Sequence, residues 1–220
     1  MFPLSELHVY DDSEMRSAAM NMAVDEALLE SIKAPSLRFY RWRQPSLSFG
    51  YFGSFADVAE EEPRREIVRR WTGGGSVLHG SDITYSIILP NKDASRPPGS
   101  RAIYRQIHEA IRQAISSQSN VVLASEDTPK VSDACFANPV VADLLADGRK
   151  IAGAAQRRTR GGLLHQGSIQ YEALSENFRD AFASSLWPHF VRKPLAPELI
   201  ERARIISEQR YGTLEWLHRR

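Results

Sequence analysis

The chain has 220 residues, 42% hydrophobic and 25% charged, with a formal net charge of +1. That composition is ordinary for a soluble globular protein and gives no bulk electrostatic case for nucleic acid or a membrane surface. One cysteine, Cys135, excludes an internal disulfide framework and argues against a cysteine-based zinc site. No apolar run approaches the roughly 20 residues of a membrane helix. The N-terminal MFPLSELHVYDD lacks the basic-then-apolar pattern of a secretory signal, so the expected compartment is the reducing cytoplasm.

In chain order, a first helix is expected over about residues 14–32, with Ala18, Met22, Leu29 and Ile32 on one stripe. Asp25 shares that stripe. It could be a helix-edge salt bridge or a buried partner for an arginine near a glycine run, with Arg69 or Arg70 as the expected partner. Aromatic-rich strands follow at 37–42 and 47–51. Residues 66–71 read as a strand leading into RRWTGGGSVLHG, after which a further strand is expected over 83–89. Three glycines in a row, Gly73, Gly74 and Gly75, form either a turn or a close approach of backbone to a ligand. Neither the phosphate-loop pattern nor the dinucleotide fingerprint fits them.

Residues 91–100 read as a surface loop and 101–117 as a periodic helix with Ile103, Ile107, Ala110 and Ala114 inward. A short strand is expected at 121–124. Asp147-Gly148 suits a type I′ hairpin turn, which places Arg149 and Lys150 at the start of the returning strand. That strand then turns to Ala152, Gly153, Ala154 and Ala155, small residues that leave room for a ligand or another backbone. LLHQGSIQY, 163–171, is the next strand, and the tail carries two or three short helices. Hairpin signals dominate, so the expected fold is α+β, a mostly antiparallel mixed sheet flanked by helices, and the length allows one large domain or two small ones.

Cys135 sits among polar loop residues and could be a buried structural thiol or a nucleophile; a nearby ammonium such as that of Lys150 would lower its pKa. No histidine spacing suits a metal, so none is expected. His79 and His165 flank the glycine run and the small-residue strand, whereas His8, His108, His189 and His218 read as surface or helix-face residues. Arg157, Arg158 and Arg160 are either a solvated strand end or a surface for an acidic partner.

Taken together, RRWTGGGSVLHG, ITYSIILP, DGRKIAGAAQRRTRGGLLHQGSIQY, NMAVDEALLE and RYGTLEWL resemble the catalytic domain of the lipoate–protein ligase, octanoyltransferase and biotin–protein ligase family. The resemblance runs across essentially the whole chain, in order, and implies a single catalytic domain over 1–220. Cys135-Phe136, fifteen residues before Lys150, resembles the cysteine-dependent octanoyltransferases; the asparagine-aspartate pair typical of the ligases is not seen at that place. The resemblance implies that Cys135 carries an octanoyl thioester and that Lys150 lowers its pKa and polarises the thioester carbonyl. It also implies that Gly73, Gly74 and Gly75 line an acyl tunnel opposite Gly153, Ala154 and Ala155, with Arg70, His79 and His165 near the ligand. No cofactor is implied. The donor would be octanoyl-acyl carrier protein, and the acceptor a lipoyl carrier domain such as a glycine cleavage H protein or a 2-oxoacid dehydrogenase E2 subunit. The chief alternative is an ATP-dependent lipoate–protein ligase, which would need ATP and Mg. Others are a non-catalytic acyl- or carrier-binding protein and amidotransfer between carrier domains. His165-Gln166-Gly167 departs from the family's usual HHG or QHG.

Overall fold

A computed structural model describes residues 6–31, 33–91, 99–115, 120–127 and 139–219. Strands β1 (Leu7–Arg16), β2 (Ser36–Trp42), β6 (Ile83–Pro90), β7 (Val121–Leu123), β8 (Leu144–Ala146), β9 (Arg149–Arg158), β10 (Gly162–Ile169) and β11 (Phe190–Arg192) form one sheet in the order β11-β1-β2-β6-β10-β9-β8-β7. Only the β1–β11 and β1–β2 pairs in it are parallel. A small second sheet orders β4 (Glu66–Arg69), β3 (Ser46–Phe49) and β5 (Val77–His79). The fold is thus α+β with a mixed, mostly antiparallel sheet, as the hairpin signals indicate.

Helices α2 (Ser100–Ala114) and α3 (Phe178–Leu186) cover one part of the sheet, burying Ile103, Ile107, Ile111 and Phe182 against Leu37, Phe39 and Ile87. Helix α1 (Ala18–Ser31) packs on β6 and β10, and α4 (Pro197–Ile206) closes over α1. Ten of the residues of α1 are buried, from Ala18 to Leu29, because protein surrounds it on several sides. Its apolar residues therefore do not form a single stripe.

The helix starts at Ala18, not near residue 14. Residues 7–16 instead form β1, whose polar DDSEMR stretch is drawn into the sheet by buried charge: Asp12 accepts hydrogen bonds from Arg16 Nε (2.9 Å) and Arg38 Nη2 (2.8 Å). Asp25 is a buried ion-pair partner, but of Arg38 Nη1 at 2.8 Å. The expected partners point elsewhere. Arg69 is directed at the C-terminal segment and donates to the carbonyls of Leu217 (2.9 Å) and Arg219 (2.7 Å). Arg70 turns to the glycine run. Both belong to the edge of the small sheet, whereas Asp25 lies over β2, β6 and β10. His108 sits on α2 as expected, yet faces inward and is fully buried. Ile32 and Cys135 lie outside the described residues.

The β8–β9 hairpin has the foreseen turn: Asp147 (φ 48°) and Gly148 (φ 77°) are both left-handed, the geometry of a type I′ turn.

Candidate active site

The registers of four neighbouring strands place Gly153, Ser168, Thr84 and Tyr40 side by side in one row. Their side chains share a face because strand residues alternate. This row floors a narrow cleft, of about 400 Å³ with its mouth included, that crosses the strands. Three inter-strand steps of about 4.8 Å give the floor a length of roughly 14 Å. Gly74, Val77, Met22, Ala154 and Ala155 complete much of the walls.

Many lining residues are polar, but their polar atoms are engaged with one another. Asp82 accepts from Ser168 Oγ (2.7 Å), Thr84 Oγ1 (2.9 Å) and His79 Nδ1 (2.8 Å). Trp42 Nε1 donates to Thr84 Oγ1 at 2.7 Å, and the Trp42 ring stacks on His79 with centroids 4.1 Å apart. Arg70 Nη1 donates to Ser48 Oγ (2.8 Å), which in turn lies 2.7 Å from His79 Nε2. Asp82 can only accept, so the His79 proton sits on Nδ1, and in the neutral imidazole favoured by burial Nε2 accepts from Ser48 Oγ. Burial pushes the His79 pKa below the ordinary imidazole range, although Asp82 pulls the other way. Burial alone would raise Asp82, but the hydrogen bonds from His79, Ser168 and the Gly80 N–H hold it below the usual carboxylate range. With their polar atoms occupied in this way, the lining residues offer carbon to the cleft.

Arg70, Gly74, His79, Gly153, Ala154 and Ala155 all line this one cleft. Gly74 has φ 85°, a conformation that side-chain-bearing residues rarely adopt. Gly73 and Gly75 do not line the cleft. Their carbonyls accept from Arg70 Nη2 (3.0 and 2.8 Å), which pins the turn so that Gly74 alone faces inward. His165 faces away, because the alternation that aims Gln166 and Ser168 at the cleft sends it to the other side of the sheet. There it lies between Tyr85 Oη (3.2 Å) and Gln156 Nε2 (3.0 Å). Gln166, the departure from the family pattern, bridges two elements: its amide donates to Asp25 Oδ2 (2.8 Å) and accepts from Thr72 Oγ1 (2.8 Å). One amide thus ties α1 to the glycine turn.

Lys150 approaches the Gly153 end of the floor. Its ammonium lies 2.7 Å from Asp143 Oδ2, and a Cβ on Gly153 would stand 2.8 Å from Nζ. Trp42 and His79 stand at the opposite, Tyr40 end. Asp82, Asp143 and Tyr104 were missed by sequence reasoning. Asp82 follows His79 by three residues in the same motif, a spacing that could have flagged it, whereas nothing local marks Asp143 or Tyr104.

Of the three basic residues after the small-residue strand, Arg157 is sandwiched between Tyr51 and Trp71, 4.7 Å from each ring centroid. Arg158 Nε donates to Ser100 Oγ (2.9 Å) and Arg160 is exposed. Among the described residues no group of three or more His, Cys, Asp or Glu could hold a metal ion, and no helix is long and apolar enough to cross a membrane.

Comparison with known proteins identifies the family. Residues 17–194 match the lipoyl protein ligase A/B catalytic domain. Octanoyltransferase LipM of Oceanobacillus iheyensis is 37% identical over 189 residues, covering 81% of this chain and 69% of that protein. Octanoyltransferase LipM of Bacillus subtilis is 34% identical over 227 residues, covering 90% and 81%. A bipartite lipoate protein ligase from Thermoplasma acidophilum, described with its E2 lipoyl domain, superposes with a TM-score of 0.69 at 21% identity, covering 97% of this chain and 96% of that one. The chain belongs to the lipoyl protein ligase A/B catalytic domain family.

Proposed function

We propose that this octanoyltransferase of protein lipoylation works through a thioester on Cys135, with Lys150 as the neighbouring cation and the cross-strand cleft as the acyl site. The observation that carries the reading is an ammonium packed beside Gly153, the last floor residue of a narrow slot, and paired there with Asp143. With carbon–carbon bonds of about 1.5 Å, an extended octanoyl chain spans roughly 9 Å and fits within the floor. The thioester carbonyl would lie by Gly153 and Lys150, and the terminal methyl toward Tyr40, Trp42 and His79.

Pro139 and Lys150 line one groove, and Cys135 precedes Pro139 by four residues in the sequence. An ammonium beside the thiol favours the thiolate, which is the nucleophile. The thiolate attacks the carbonyl of an octanoyl thioester, and the donor's thiol leaves as the new thioester forms. A lysine amine of the acceptor domain then attacks Cys135's thioester, releasing the thiolate and forming an amide. The first exchange is near thermoneutral and the second is downhill, so the cycle needs no ATP, metal or other cofactor. The donor is octanoyl-acyl carrier protein and the acceptor a lipoyl carrier domain.

Octanoyl transfer from carrier protein to a lipoyl domain in the absence of ATP tests the reading. Rapid exchange of labelled pyrophosphate into ATP in the presence of octanoate or lipoate would instead establish an acyl-adenylate route.

A further inference from the structure

Lys150 is held by more than its own strand. Leu145 pairs with Lys150 but Leu144 pairs with Ala152, so Ile151 is an extra residue on β9 and the strand bulges there. Strand β8 begins at Leu144, so beyond Ala152 it no longer runs alongside β9. The Ala154 N–H on that side donates to Tyr104 Oη at 3.1 Å. Tyr104 in turn donates its own proton to Asp143 Oδ1 in a short hydrogen bond. The other oxygen of Asp143 accepts from the Val140 N–H (2.8 Å) and holds Lys150 Nζ at 2.7 Å.

The ion pair is buried: the Lys150 side chain is 2% exposed and that of Asp143 is fully buried. Burial, reinforced by Asp143, raises the Tyr104 hydroxyl well above its ordinary pKa, so it remains a donor. The Tyr104 ring packs edge-on against His108, 4.2 Å between centroids, and burial keeps that imidazole neutral. Gly153 completes the enclosure, since a Cβ there would approach Lys150 Cε to 2.5 Å and Nζ to 2.8 Å.

We propose that Tyr104, Asp143 and Gly153 are positioning residues that together fix the Lys150 ammonium at the Gly153 end of the acyl cleft. Tyr104 acts through Asp143 and the cleft wall at Ala154, without touching the acyl group. The proposal rests on the role given to Lys150 above. It explains why a tyrosine from α2 reaches through a gap in the sheet, and why the strand forgoes a side chain at Gly153.

The test is single-turnover acylation of Cys135 in the full chain, using octanoyl-acyl carrier protein as donor. Tyr104→Phe keeps the ring packing and removes the hydroxyl; Gly153→Ala pushes the ammonium aside. Each is expected to slow acylation about tenfold or more, since a small misplacement of a reacting group costs rate, and in Tyr104→Phe, which leaves the cleft floor intact, half-saturation by donor stays within about twofold. In a Lys150→Ala background, Tyr104→Phe is expected to have no further effect on the residual rate, which a merely structural tyrosine would still lower. An acylation rate unchanged in Tyr104→Phe, or a loss confined to donor half-saturation, overturns the positioning role while leaving the thioester route standing. A wild-type chain that never acylates Cys135 overturns the thioester route and the positioning role with it.

Discussion

Asp25 accepts from Arg38 Nη1 (2.8 Å) and Ser86 Oγ (2.7 Å) on one oxygen and from Gln166 Nε2 (2.8 Å) on the other. Every neighbour is a donor. Asp25→Asn would therefore set an amide N–H₂ against a donor whichever way it turned, besides leaving Arg38 with Asp12 as its one carboxylate. Breaking a buried pair of this kind costs about 3 kcal/mol. Chemical denaturation of the variant is expected to show that loss; an unchanged midpoint would refute it. Ala142 makes the opposite case. It is buried with φ 71°, where a Cβ is strained. Ala142→Gly is expected to relieve strain, offset in part by the freer unfolded chain, for a net gain of about 0.5 kcal/mol or more in the same assay. In the cleft, Trp42 stands at the end away from Lys150, held by its bond to Thr84 and its stack on His79. Trp42→Ala is expected to shift preference toward acyl donors longer than octanoyl, measured as the ratio of kcat/KM for dodecanoyl and octanoyl donors. A ratio equal to that of the wild type would remove Trp42 from the end wall.

At the scale of elements, the glycine turn and the small-residue strand face each other across the cleft, and each is shaped by close backbone approach. A Cβ on Gly50 would come within 2.0 Å of the Gly74 carbonyl oxygen, a contact that no side-chain motion can relieve. Gly50→Ala is expected to displace the turn and raise KM for the octanoyl donor at least tenfold, with secondary structure by circular dichroism preserved. Normal kinetics would show that the turn does not shape the acyl site. These elements were legible because their signals are local: the Asp-Gly hairpin, the glycine run and the small residues 152–155 each point to one feature on its own chemistry. What could not be read locally is which element each polar side chain meets. Arg38 lies in an aromatic strand with nothing to mark it, yet it, not Arg69 or Arg70, receives Asp25. Strand β1 was hidden for the same reason, since its buried Asp12 is satisfied by Arg38 from the neighbouring strand. His165 was placed at the site from its neighbours in sequence, and the two-residue alternation of its strand turned it away.

At the scale of the whole molecule, three buried imidazoles couple stability to pH. Burial lowers His108 to about 4, lowers His165 well below the ordinary value and lowers His79 as well. In the unfolded chain each binds a proton near pH 6.5, so below that pH the unfolded state holds more protons and stability falls. The His108 contribution is fully present above pH 6.5 and is lost as pH drops toward about 4. A depression of that size corresponds to a loss of roughly 3 kcal/mol. His108→Gln is expected to flatten the fall in melting temperature between pH 7 and pH 4.5, and an unaltered slope would contradict it. The cleft proposed to take the acyl chain draws on both sheets and α1, so it depends on the assembled fold and not on any one motif. Intact-mass measurement after mixing the chain with octanoyl-acyl carrier protein tests the central claim most directly. The prediction is a gain of one octanoyl group that is labile to hydroxylamine and absent in Cys135→Ala. A chain that gains no acyl group, or gains one that persists in Cys135→Ala, would contradict it.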